Sequence, residues 1–62
     1  MAKTLKTYKR PDGLVKAVVK LDEDWDEFQV WLYRAGKEVK AARYHAADEQ
    51  DAHGTARLMV TV

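Results

Sequence analysis

The chain has 62 residues, with 11 Lys and Arg against 10 Asp and Glu, 47% hydrophobic residues and no cysteine. A chain of this length makes one small domain, 1–62, whose core leaves a net of only about 3–5 kcal/mol, and without cysteine it has neither disulfides nor thiolate zinc sites to reinforce it. Near-balanced charge argues against bulk coating of polyanions, and no apolar run reaches signal-peptide length or the roughly 18 residues that span a bilayer, so a soluble, cytoplasmic chain is expected.

The net charge of +1 conceals an asymmetry. Residues 1–20 carry Lys3, Lys6, Lys9, Arg10, Lys16 and Lys20 against Asp12 alone, which leaves nine acids and five bases for residues 21–62. Serine is absent as well as cysteine, and none of Thr4, Thr7, Thr55 and Thr61 has a base nearby in sequence, so no nucleophilic site is legible.

KTLKTYKR and LVKAVVKL flank Pro11-Asp12-Gly13, a tripeptide that favours a type I turn with Gly13 in the left-handed position of a bulge. A hairpin with strands at about 3–10 and 14–21 follows. Val15, Ala17, Val19 and Leu21 alternate with Lys16, Val18 and Lys20, the period of two of a half-buried strand. Counting back across the turn sets Leu5 beside the apolar residues and Tyr8 near Lys16 on the other side.

Asp22, Glu23, Asp24, Asp26 and Glu27 crowd around Trp25, and like charges so dense would repel inside a ladder, which predicts a solvated loop. EFQVWLYR then gives a strand at 27–34. Ala35-Gly36 marks a two-residue turn into a fourth strand at 38–45, pairing Leu32 with Val39, Val30 with Ala41, Trp31 with Lys40 and Tyr33 with Glu38.

Asp48 suits the N-cap of a helix at about 49–60, with Glu49 and Asp51 beside the positive end of its dipole. Ala52, Ala56, Met59 and Val60 form its apolar stripe, and Glu49, His53 and Arg57 its wet side. The expected architecture is α+β: a four-stranded antiparallel sheet of two hairpins with one C-terminal helix on one face. That helix covers the face of Val15, Ala17, Val19, Phe28, Val30, Leu32, Val39 and Ala41, leaving Tyr8, Val18, Trp31 and Tyr33 uncovered among Lys6, Lys16, Lys20 and Lys40.

Aromatic side chains supply much of the energy at interfaces, so Trp31, Tyr33 and Tyr8, with Lys40, are candidate partner contacts. Trp25 with Asp22, Asp24 and Asp26 adds an acidic loop suited to a basic partner surface. Lysines interleaved with rings equally suit nucleic acid, through Lys16, Lys20, Trp31 and Lys40. Asp22-x-Asp24-x-Asp26 begins like a calcium loop, but Glu27 stands where the turn glycine belongs and Tyr33 where a bidentate glutamate belongs. His45, Glu49 and His53 are short of a closed zinc set, and no carboxylate pair in an apolar setting or glycine-rich phosphate loop points to catalysis. No metal, cofactor or catalytic residue is assigned.

From Glu27 to Met59 the order EFQVWLYRAGKEVKAARYHAADEQDAHGTARLM resembles the end of AP2-type and integrase arm-binding DNA modules, through Gly36, Tyr44, the cap at Asp48, and Ala52 with Ala56. The resemblance implies DNA reading from the open sheet face, carried over to Trp31, Lys40, Lys16 and Lys20. The same half is similar, more distantly, to the later part of double-stranded-RNA-binding domains. In style the chain is similar to small accessory proteins of phages and mobile elements, including anti-CRISPR proteins. That similarity implies a non-enzymatic, stoichiometric inhibitor of a host protein complex, acting through the open face and the acidic loop. A homodimer joined through its open faces is the structural alternative.

Overall fold

The structure, a computed structural model, describes residues 2–61; Met1 and Val62, the ends of the expected domain, lie outside the described residues. The alternating segments become strands β1 (Ala2–Lys9), β2 (Val15–Asp22) and β3 (Glu27–Arg34). Two short strands follow, β4 (Lys37–Glu38) and β5 (Tyr44–Ala46), separated by one turn of 3-10 helix at Lys40–Ala42, and helix α1 (Glu49–Thr61) ends the chain. The sheet runs β1-β2-β3, with β4 and β5 both pairing with β3, and every pairing is antiparallel. The expected α+β class and its single helix are present.

At the first hairpin the Arg10 amide donates to the Val15 carbonyl and the Gly13 amide to the Arg10 carbonyl, both at 2.8 Å, which leaves four residues, 11–14, in the loop. Gly13 takes φ +75°, the left-handed conformation that the sequence requires there. The loop closes one residue away from the count made on the sequence, so Tyr8 pairs with Ala17 rather than with Lys16. Because strand side chains alternate, that single step moves Tyr8, and Lys6 with it, to the helix side of the sheet. The ladder shifts again between Thr4 and Lys6, a bulge at Leu5, and beyond it Thr4 pairs with Lys20.

The second hairpin keeps one register throughout, from Val15 opposite Arg34 to Asp22 opposite Glu27. Val19 and Val30 meet at its centre, both fully buried. The acids between the strands form the solvated loop that the sequence predicts, closed by Asp26 at φ +51°.

The third hairpin begins as expected, with Tyr33 opposite Glu38 and the Val39 amide donating to the Leu32 carbonyl at 2.8 Å. Ala35 and Gly36 take φ +52° and +82°, the pair of positive angles that a two-residue type I′ turn demands. The continuous strand 38–45 does not form. Lys40–Ala42 leave the ladder, and Val30 pairs with Tyr44 instead of Ala41. Two adjacent alanines favour a strand weakly, while the 3-10 turn satisfies its own backbone through Ala42 N–H to Val39 O (3.0 Å) and Arg43 N–H to Lys40 O (3.2 Å). A three-residue excursion is odd, so it reverses which residues face the helix. Ala46 is thereby buried opposite Phe28, and His45 is sent to the far side opposite Gln29.

Asp48 caps α1, its Oδ1 accepting from the Asp51 amide at 2.7 Å, and Glu49 and Asp51 lie in the first turn. Ala52 and Ala56 are fully buried against β2 and β3, with Phe28, Met59 and Val60 packed around them. Gly54 lies mid-helix, and a β-carbon there would meet nothing within 4 Å. Gly54→Ala should therefore raise unfolding stability by about 1 kcal/mol through helix propensity alone. Chemical denaturation of the two proteins measures it, and an unchanged or lower midpoint would mean that the glycine serves the fold in another way.

Candidate functional site

Among the described residues no helix or strand covers the sheet face opposite α1, and the side chains of that face cover one another. Along β3 the residues Glu27, Gln29, Trp31 and Tyr33 project to this side, facing Asp22, Lys20, Val18 and Lys16 of β2. Val18, directly opposite Trp31, is only 8% exposed although no helix lies above it.

Trp31 organises the face. The Lys20 ammonium lies 3.7 Å from its ring centroid and the Arg43 guanidinium carbon 4.1 Å, so two cations rest on one half-buried indole. Each such contact contributes roughly 0.5–1 kcal/mol at an exposed site and more where water is displaced. Arg43 is itself held by Glu38 Oε2, receiving its Nε–H at 3.1 Å and its Nη2–H at 2.5 Å. The Trp31 Nε1–H donates to Gln29 Oε1 at 2.9 Å, and Gln29 Nε2–H donates to Glu27 Oε1 at 3.2 Å. His45 Nδ1 hydrogen-bonds the same Glu27 oxygen, completing a polar line along the strand. At the other end the Lys16 ammonium lies 5.1 Å over the Tyr33 ring.

Several residues singled out in the sequence fall elsewhere. Tyr8 is on the helix side, where its hydroxyl is 2.8 Å from His53 Nδ1 and Lys6 lies 5.3 Å over its ring. His53 Nε2 is 3.1 Å from Glu49 Oε2, and one tautomer satisfies both contacts: Tyr8 O–H donating to Nδ1, and Nε2–H donating to Glu49. His53 thus belongs to the β1–helix seam rather than to a wet helix face. His45 belongs to the other side of the sheet, so His45, Glu49 and His53 do not converge. Lys40 opens the 3-10 turn, exposed and outside the ladder, and Arg43 occupies the place over Trp31 that the expected register gives to Lys40. Lys16, Lys20, Trp31 and Tyr33 do share one face.

The acidic loop is a hairpin tip. Asp22 Oδ1 accepts from the Asp24 amide at 3.1 Å, which fixes its first turn. Trp25 projects from it with 80% of its surface exposed, the largest exposure among the exposed large apolar residues. Arg43 and Gln29 are the residues that sequence reasoning missed. No strong signal in the sequence marks Arg43: it reaches the Trp31 ring because the 3-10 turn at Lys40–Ala42 interrupts the ladder.

Among the described residues no helix is long and apolar enough to cross a membrane. Comparison with protein families, curated proteins and solved structures finds no match to this chain.

Hydrogen bonds from His45, and then from Gln29, hold the Glu27 carboxyl below its ordinary range, and Arg10 with the Leu14 amide does the same for Asp12. A lowered folded-state pKa contributes stability above the unfolded value, about 4.5 for glutamate, and that contribution disappears as pH falls through the folded value. The thermal midpoint should therefore decline on acidification below about pH 4.5, and Glu27→Gln should flatten that decline. A variant whose acid limb superimposes on that of the parent would refute the linkage.

Proposed function

We propose that this chain is a non-enzymatic binding protein that occludes a surface of a larger protein partner, in the manner of the small phage and mobile-element inhibitors that its sequence resembles in style. Trp25 carries the reading. An indole 80% exposed on a hairpin tip, among Asp22, Glu23, Asp24, Asp26 and Glu27, contributes little to the fold and is well suited to fill a pocket. The surrounding carboxylates would speed encounter with a basic rim and fix orientation. Trp31, midway along β3, extends the contact with Lys20 and Arg43 resting on its ring, while Tyr33 stands at the far end of that strand opposite Lys16. A cytoplasmic location and an anti-CRISPR-like stoichiometric mode belong to the same proposal.

One observation favours a second reading as a nucleic-acid module of AP2 or integrase-arm type: Lys16, Lys20 and Arg43 share the face with Trp31 and Tyr33. The rings are capped by cations, so contact on that reading runs through phosphates more than through stacking, and its affinity falls steeply with salt. Open faces paired in a homodimer give a concentration-dependent mass in sedimentation.

Trp25→Ala should weaken capture of the host complex by roughly 30-fold, about 2 kcal/mol, while leaving the thermal midpoint unchanged. Trp31→Ala should lower the midpoint, because it uncovers Val18. Capture unaffected by Trp25→Ala would remove the assigned anchor. A short duplex bound at low salt, and lost in Lys16→Gln/Lys20→Gln, would replace the protein-partner reading with the nucleic-acid one.

A further inference from the structure

At the end of the sheet away from the acidic tip, the first and third hairpin turns border a cleft of about 240 Å³, lined by Lys9, Gly13, Leu14, Lys16, Tyr33 and Gly36. Lys9 and Lys16 are directly opposed across the β1–β2 ladder, a like-charge pair that costs stability when nothing neutralises it. Among the described residues no carboxylate pairs with either lysine. The nearby acid in sequence, Asp12, is already engaged: its Oδ2 lies 2.6 Å from Arg10 Nη2, and its Oδ1 accepts from the Leu14 amide at 2.9 Å. The Lys16 ammonium lies over the Tyr33 ring, which borders the cleft and places that charge at its wall. Two glycines at the rim, at φ +75° and +82°, present backbone without side chains.

We propose that this cleft binds the phosphate group of a small phosphomonoester. Two lysines supply the charge, and the Tyr33 hydroxyl is the available neutral donor. The volume lies below the roughly 300–1,000 Å³ typical of pockets that enclose a whole organic ligand, so the cleft takes the anionic head and leaves the rest of the molecule outside. Arg34 and Lys37, paired beside the third turn, add to the positive field at this end and help draw a dianion in.

The test is a titration of the full chain with phenyl phosphate at fixed ionic strength, followed by backbone amide shifts, with chloride and a short single-stranded oligonucleotide as parallel arms. The proposal expects saturable shifts confined to Lys9, Gly13, Lys16, Tyr33 and Gly36. It expects them to be stronger at about pH 7.5 than at about pH 5.5, on either side of the second phosphate ionisation near 6. They should be lost in Lys9→Gln/Lys16→Gln, both exposed positions, and kept in Lys20→Gln, whose ammonium rests on Trp31 outside the cleft. Linear shifts that chloride reproduces would overturn the proposal, as would saturable shifts retained in the double variant. Binding of the oligonucleotide without binding of phenyl phosphate would also overturn it, since the face would then be reading a polymer backbone.

Discussion

The packing of Ala52 and Ala56 into one core cluster with Val19 and Val30 is the interaction on which the remaining structure rests. All four residues are fully buried, and α1 reaches both central strands through them. The two alanines carry the least side chain of any residue that still favours a helix, so the helix axis lies close to the sheet and a thin apolar layer fills the space. That economy has a consequence. With one helix spent on one face, the described residues hold no second element for the other, and that face is shielded by its own side chains.

Trp31 is how that shielding is achieved. An indole opposite Val18 removes the valine from water, and the stems and heads of Lys20 and Arg43 then lie over the indole. The layer is polar at its surface and apolar beneath, a working substitute for a second helix. Its cost in freedom falls on long side chains, and Glu38 and Gln29 limit that cost by tethering Arg43 and the indole nitrogen. The face is therefore stiffer than a bare array of rings and lysines.

Periodicity made the two long central strands, their apolar face and the helix legible, because each depends on several residues repeating one pattern. The type I′ turn at Ala35-Gly36 was legible for a similar reason: Gly36 and the flanking apolar partners agreed on one register. Tyr8 and Lys40 were misplaced because each depends on a single-residue event, the four-residue loop at 11–14 in one case and the 3-10 turn at Lys40–Ala42 in the other. A change of register by an odd number exchanges the two faces of a strand without altering its composition. Tyr8 went to the helix side, where His53 was waiting, and Arg43 and His45 went to the open side. Nothing in the local sequence marks such a step strongly, yet it decides which chemistry each face displays.

The same geometry shows why the net charge of +1 describes the molecule poorly. Lys16 and Asp22 stand at opposite ends of β2, six residues and so about 20 Å apart at roughly 3.3 Å per residue. Charges screened over about 8 Å at physiological salt do not cancel across that span. The acidic tip around Trp25 and the lysine-lined cleft between the turns therefore act as separate surfaces, each with the field of its own end. Between them the Trp31 cluster joins Lys20 and Arg43 to Glu38, Gln29 and Glu27 through contacts that are each satisfied locally. A near-neutral chain of this length thus presents two ends of opposite sign on one sheet, and the order of its residues along β2 and β3, more than its composition, sets the field at either end.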